Sequence, residues 1–330
     1  MIGKNSNRMK LLFALLLSML VMITAACGDV KDTENKPTNT ANQSGQTTTH
    51  EPSPEGSATV YPFTIKDDTG EEITFTEVPT KIVTLAASET EAIYAIGSGG
   101  QIVGVDEWSN YPEEVASKPK VGDITTNIEA VLALEPDLVL ASSSMNTEAI
   151  AKLRELNINV YATDPLTYDA VIAKIENLGH IMNKPSEAAA IAEHMSLVKQ
   201  QVTEAVKDAE KKKVYLEFDA GWTVGSGTFL DELITLAGGS NISGSLPGWY
   251  EISAEDIVKK NPEFIIYPAL KEEPNPIVVS IESRPGWNVI DAVKNKHMHA
   301  VTEDPLVRVG PRLADGLLEL AKVIHPDLVK

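Results

Sequence analysis

The chain has 330 residues, a single cysteine and a formal net charge of -19 at neutral pH. That surplus of acid excludes a nucleic-acid surface and adhesion to anionic lipid by charge alone, because such footprints are basic. With Cys27 as the one cysteine there is no intramolecular disulfide, so the fold must rest on its core, and the length allows one large or two medium domains.

Lys4, Arg8 and Lys10 form a basic start, and Leu11 to Ile23 is an almost wholly apolar run. Small residues follow in Thr24-Ala25-Ala26-Cys27-Gly28, the order expected of a secretory signal. The run is shorter than the ~20 residues a spanning helix needs. A cysteine just past the cut can carry a diacylglycerol on its thiol. The segment resembles a bacterial lipoprotein signal, with Thr24 at the place where leucine is usual. Residues 28–58 hold one large aliphatic residue, Val30, among Asn, Thr, Gln, Ser, Pro and charges, too little apolar surface to offset ordering entropy. As a flexible coil this tether spans ~30 Å.

The folded body begins with Phe63-Thr64-Ile65-Lys66 and Glu72-Ile73-Thr74-Phe75 around Asp67-Asp68-Thr69-Gly70, which reads as a hairpin. Strands are then predicted at 81–85, 102–105, 138–141, 159–161, 213–218, 264–267 and 298–301, with helices starting near Ser88 and Thr228. Strands alternating with helices imply parallel sheets flanked by helices. The block Asn127-Ile128-Glu129-Ala130-Val131-Leu132-Ala133-Leu134-Glu135-Pro136-Asp137-Leu138-Val139-Leu140 reads as a short helix, a proline break and a buried strand. Ser253-Ala254-Glu255-Asp256-Ile257-Val258-Lys259-Lys260-Asn261-Pro262-Glu263-Phe264-Ile265-Ile266 repeats it 126 positions later, so two similar lobes are expected. Between them, Pro185 to Lys211 has no glycine and no internal proline, and predicts one long, stiff connecting helix. The expected fold class is therefore α/β, with two Rossmann-like lobes, each a mostly parallel sheet flanked by helices. The expected organisation is a signal over 1–26, a lipidated cysteine and tether over 27–58, an N-terminal lobe over 59–184, a connecting helix over 185–211 and a C-terminal lobe over 212–330.

Residues from about 60 to 326 resemble the solute-binding lipoproteins of ABC importers, in the helix-linked class that carries cobalamin, ferric siderophores or haem. The likeness rests on Lys81-Ile82-Val83 with Ser88-Glu89-Thr90-Glu91, on Ser109-Asn110-Tyr111-Pro112, on both repeat blocks, on Ala237-Gly238-Gly239-Ser240-Asn241-Ile242 and on Gly310-Pro311-Arg312. It is nearest the cobalamin-binding branch. The resemblance implies that Trp108, Tyr111 and Trp249 face a corrinoid, and that Asp304 and Arg308 bond its polar arms at the cleft mouth. It also implies that Glu129 and Glu255, one per lobe, dock a two-fold permease served by a cytoplasmic ATPase. The protein is then a monomer on the outer face of the cell membrane, held by its lipid, with cobalamin or a ferric siderophore as cargo and no resident cofactor.

The residues support a cleft independently. Open α/β sheets bind ligands beyond the carboxyl ends of their strands. Trp108 and Tyr111 follow the strand ending at Val105, Trp222 follows the one ending near Phe218, and Trp249 sits in a turn-rich loop, Ser245 to Tyr250. Flat rings supply apolar area for a large flat ligand. Trp287, in register with Ile290 and Val293, reads as core, and Arg312 as a structural residue at a helix start. Glu129 and Glu255 each lie in a helix first turn, where the dipole already favours a carboxylate. Of the six histidines, His297 and His299 share a strand face and could hold a metal, which keeps a zinc- or manganese-binding protein as an alternative, although such sites gather clustered His and carboxylates and half-exposed strand residues are commoner. No G-x-S-x-G, H-E-x-x-H or P-loop marks an enzyme, and Gly225-Ser226-Gly227-Thr228 is too short for a nucleotide fingerprint. Outside the signal the arginines are Arg154, Arg284, Arg308 and Arg312, few for an anionic ferric catecholate, which favours cobalamin or a ferric hydroxamate, with haem as a further option.

Overall fold

The computed structural model describes residues 58–330, so the expected signal segment, Cys27 and the expected tether up to residue 57 lie outside the described residues. The first lobe opens with the expected hairpin, β1 (Phe63–Lys66) and β2 (Glu72–Phe75), antiparallel with Phe63 opposite Phe75. It continues through β3 (Ile82–Thr84), α1 (Ala87–Ala95), β4 (Ile102–Val105), α2 (Ile128–Ala133), β5 (Leu138–Ser142), α3 (Thr147–Glu155) and β6 (Val160–Thr163). These strands form a parallel sheet in the order β4-β3-β5-β6. Every residue of β3, β5 and β6 is buried, as expected where helices cover both faces of a parallel sheet. Asp67, at the hairpin turn, pins it to the sheet edge by accepting from the Ala162 amide at 3.0 Å and from Arg154 at 2.5 Å.

Two helices carry the chain out of this lobe, α4 (Tyr168–Ile181) and α5 (Pro185–Val206). Pro185 stands in the first turn of α5, where its missing N–H costs nothing. The helix stops at Val206 and not at Lys211. A turn follows, and by Lys212 the chain is already extended against Gly239. Pairing with the sheet overrides the helix propensity of the lysines there.

The second lobe comprises β7 (Lys212–Asp219), β8 (Trp222–Val224), α6 (Phe229–Leu236), β9 (Gly239–Asn241), β10 (Trp249–Glu251), α7 (Ala254–Lys260), β11 (Phe264–Pro268), α8 (Pro276–Ser283), α9 (Asp291–Lys294), β12 (Met298–Val301), α10 (Glu303–Val307) and α11 (Leu313–Ile324). Its sheet runs β10-β8-β7-β11-β12, with β9 also on β7. The parallel part, β9-β7-β11-β12, repeats the strand order of the first lobe. The addition is β8, antiparallel to β7, and β10, antiparallel to β8.

The repeat extends to single bonds. Asn127 caps α2 by accepting from the Ala130 amide at 3.0 Å, and Ser253 caps α7 by accepting from the Asp256 amide at 3.4 Å. Beyond each helix an acid ties the next strand to its neighbour: Asp137 accepts from the Lys81 amide and Glu263 from the Lys213 amide.

One apolar cluster runs through both lobes. It includes Ile82 and Ile102 of the first sheet, Ile175 of α4, Met195 and Val202 of α5, Leu233 of α6 and Leu317 of α11, all but fully buried. Separate clusters lie within each lobe, around Val131 and Leu153 in the first and around Tyr215, Ile281 and Trp287 in the second. Trp287 is core, as its spacing implied. No helix among the described residues is long and apolar enough to cross a membrane.

Candidate ligand cleft

The loop after β4 carries Trp108, 63% exposed, and Tyr111. Its base is fixed from below by the buried Asp106. That carboxylate accepts from the Trp108 amide at 3.1 Å and from the Ser109 hydroxyl, while Lys120 donates to the Asp106 and Ser109 carbonyls at 3.0 and 2.7 Å. Ser109, Thr90 and Thr84 continue inward as a chain of hydroxyls with 2.6 Å contacts. Burial pushes the Asp106 carboxyl above the usual range, although Ser109, the Trp108 amide, Lys120 and Arg308 pull it back.

The tip of the loop is held from the other lobe. Arg308, at the end of α10, donates to Asn110 Oδ1 at 2.8 Å and to the Trp108 carbonyl at 3.3 Å. The Arg312 guanidinium lies 4.1 Å from the centre of the Tyr111 ring. Both arginines converge on Glu91 of α1, a carboxylate 3% exposed: Arg308 donates at 2.6 Å, and Arg312 donates through two nitrogens at 2.8 and 2.6 Å. Asp304 completes the group, 2.7 Å from Arg308 and 3.4 Å from Arg312. Burial works against the charge on Arg312, but Glu91 and Asp304 outweigh it and raise its pKa. Beside them, burial and the neighbouring Asp304 push Glu303 up.

Trp222 and Trp249 form a second aromatic group. Sequence placed Trp249 in a loop and Trp222 just past a strand; the structure puts both in short strands, Trp222 opening β8 and Trp249 opening β10. Trp222 pairs toward Glu251 and Trp249 toward Val224, so the two rings share one face of the ribbon. Trp249 meets Phe218 edge-on at 5.0 Å. The turn into β8 is set by Glu217, fully buried, which accepts from Arg284 at 2.5 and 2.6 Å and from the Tyr215 hydroxyl and the Gly221 amide at 2.9 Å. Gly225 lets the loop before Trp249 lie directly on β8, since a Cβ there would stand 1.9 Å from the Leu246 carbonyl oxygen.

The structure thus gathers Trp108, Tyr111, Asp304 and Arg308 into one bonded group, and sets Trp222 and Trp249 together on the second sheet. Arg308 differs from its expected role, because both terminal nitrogens are engaged and its side chain is only 11% exposed. It can reach a ligand only by giving up one of these bonds. Sequence reasoning named Glu91 only within Ser88-Glu89-Thr90-Glu91 and gave Asn110 no role. It also passed over Met145 and Leu166, exposed apolar residues just beyond β5 and β6, whose position past strand ends was a usable signal. Glu129 and Glu255 are both exposed on the first turns of α2 and α7. His297 and His299 stand 6.3 Å apart beside Phe264, and no group of three potential metal ligands occurs among the described residues.

Residues 82–305 match the family model described as periplasmic binding protein. The chain is 35% identical over 282 residues to the uncharacterized ABC transporter substrate-binding lipoprotein YvrC of Bacillus subtilis, covering 82% of this chain and 88% of that one. The solved periplasmic vitamin B12 binding protein of Vibrio cholerae superposes with a TM-score of 0.68 at 26% identity, over 74% of this chain and 96% of that one. A solved structure from Staphylococcus epidermidis, described as a possible iron-binding (periplasmic solute-binding) protein, gives 0.66 at 26% identity, over 76% of this chain and all of the other.

Proposed function

The chain belongs to the periplasmic binding protein family, and from that premise we propose that it captures a corrinoid between its two lobes. At the coarser level it is the substrate-binding protein of an ABC importer of the vitamin B12, siderophore and haem kind. It acts outside the cytoplasm with a permease and an ATPase, and it is not an enzyme.

The ligand reading rests on one observation. Each arginine among the described residues is committed to a carboxylate: Arg154 to Asp67, Arg284 to Glu217, and Arg308 and Arg312 to Glu91 and Asp304. A strongly anionic ferric catecholate would meet no uncommitted guanidinium. Trp108, Tyr111, Trp222 and Trp249 instead offer flat, exposed rings, which suit a large, nearly neutral ring system. Asp304, near Trp108, is the more open polar group for its side arms, and Arg308 joins it only by giving up one of its present bonds. The solved relative that binds vitamin B12 supports the same choice. The test is a titration of the folded body with cobalamin, cobinamide, a ferric hydroxamate and haem, read by tryptophan fluorescence. Tight binding of a corrinoid is expected; tight binding of the iron ligands with none of the corrinoids would move the protein to iron uptake.

The docking role of Glu129 and Glu255 belongs to the same reading, as does the lipid on Cys27. One relative is named a lipoprotein. The mature N-terminus should be a diacylglycerol-modified Cys27, and mass spectrometry of the membrane-extracted chain decides it; an unmodified cysteine or a different cut overturns it.

A further inference from the structure

We infer that Glu91 is a positioning residue for ligand capture: it touches no ligand itself, and sets the aromatic tip at Trp108 to Tyr111 through Arg308 and Arg312. This rests on the reading of the aromatic cleft as the ligand site.

The loop after β4 has two kinds of anchor. Its base is held within its own lobe by Asp106, Lys120 and the Ser109 hydroxyl. Its tip is held across the lobes, at Asn110 and the Trp108 carbonyl by Arg308 and at the Tyr111 ring by Arg312. Two guanidinium groups side by side repel each other and swing freely unless a buried anion orders them. Glu91 is that anion, placed on α1 of the first lobe, with one oxygen shared by both arginines and the other taken by Arg312 Nε. Asp304 alone cannot substitute. It is more exposed than Glu91 and sits on the arginines' own lobe, so it orders them without tying them to the first. The chain of dependence runs from Glu91 to the two arginines, from them to Asn110 and Tyr111, and from the tip to the ring that meets the ligand. A carboxylate serving only the stability of α1 would lack the last two links.

The experiment uses protein labelled with 5-fluorotryptophan and followed by fluorine NMR without ligand. The four tryptophans give four resonances, assigned by substitution. In Glu91→Gln, which keeps size and removes charge, the Trp108 line should shift and change width while the Trp287 line, from the core of the second lobe, stays fixed. Asn110→Ala, an exposed change that leaves the fold alone, should move the Trp108 line in the same direction, and the double variant should move it no further than Glu91→Gln alone. Cobinamide affinity of Glu91→Gln should fall by at least about tenfold, the scale of a lost charged hydrogen bond. An unchanged Trp108 line, shifts spread equally over Trp108 and Trp287, or additive effects in the double variant would overturn the positioning role. If wild-type protein binds no corrinoid while the Trp108 line responds as stated, the ligand reading fails and the positioning stands.

Discussion

Glu135 and Asn261 hold the same left-handed backbone conformation, with φ of 49° at the first and 48° at the second, and each is followed by a proline that starts the passage into a buried strand. They stand 126 positions apart, at matching places in the two repeat blocks. Asn261 tolerates that conformation and uses it: its side-chain Nδ2 donates to the Asp291 carboxylate at 2.7 Å and its Oδ1 accepts from the Asp291 backbone amide at 2.9 Å. Glu135 bears the strain with only an exposed pair to Lys81.

The two positions should therefore respond differently to alanine. Asn261→Ala loses asparagine's tolerance of positive φ and removes two side-chain bonds, and should cost about 2 kcal/mol. Glu135→Ala keeps the strain and removes only a surface ion pair, so it should change stability by less than about 1 kcal/mol. Urea unfolding of both variants checks this; equal losses would show that the strain, and not the bonding, sets the cost.

Trp249 and Trp287 separate binding from folding. Trp249→Ala should weaken corrinoid binding by about 1–3 kcal/mol, the worth of burying a large apolar side chain. Trp287 is 1% exposed, and its truncation should cost the fold about 3–5 kcal/mol. Isothermal titration and thermal melting of both variants should give opposite patterns. Loss of stability without loss of affinity in Trp249→Ala would make that ring structural.

Changing both Glu129 and Glu255 to alanine should lower uptake in cells while solution affinity stays within a few fold. Each exposed carboxylate gains only about 0.3–1 kcal/mol from its helix dipole, so the fold should survive. Charge at a docking face steers association and fixes register. Full uptake by the double variant would leave the helix start as the sole role of both residues.

Acid should weaken the hairpin anchor. Burial raises the Asp67 carboxyl, but the Thr69 hydroxyl, the Ala162 amide, Arg154 and the Glu71 amide outweigh it and hold it below its ordinary value. A depressed native value gives stability that is present above the unfolded value of about 3.9 and is lost as pH falls through the native one. The stability gap between wild type and Asp67→Asn should thus be constant near neutrality and shrink below about pH 4. A gap that persists at the acid end would mean the bonds matter more than the charge.

Loading should change the angle between lobes little. The helix α5 packs against α4 on one side and α11 on the other, so a wide swing would expose Met195 and Val202. Scattering curves of free and loaded protein should nearly overlay; a large drop in radius of gyration on loading would refute the stiff connector.

Much of this was legible because the signals are periodic. Proline breaks at Pro136 and Pro262, followed by apolar runs, announce buried strands wherever they occur. The ribbon of β8 and β10 was not legible, since three residues are too few to display alternation, and turn residues around Trp249 outvoted it. Glu91 was hidden for another reason. Sequence shows it only as one of two acids in a helix, and its partners lie 217 and 221 residues away. Long-range ion pairs leave no local trace. The same distance concealed how fully Arg308 is bonded.

The apolar cluster that threads α4, α5, α6 and α11 has a consequence for how the body melts. Ile175, Val202, Leu233 and Leu317 belong to one dry interior although they come from both halves of the repeat. Neither half is a self-sufficient folding unit, despite each having a complete sheet. Cutting the chain after Val206 would leave Val202 and Met195 facing water on a helix whose second covering is gone. Heating should accordingly give a single calorimetric transition for both lobes, and each half expressed alone should be prone to aggregation.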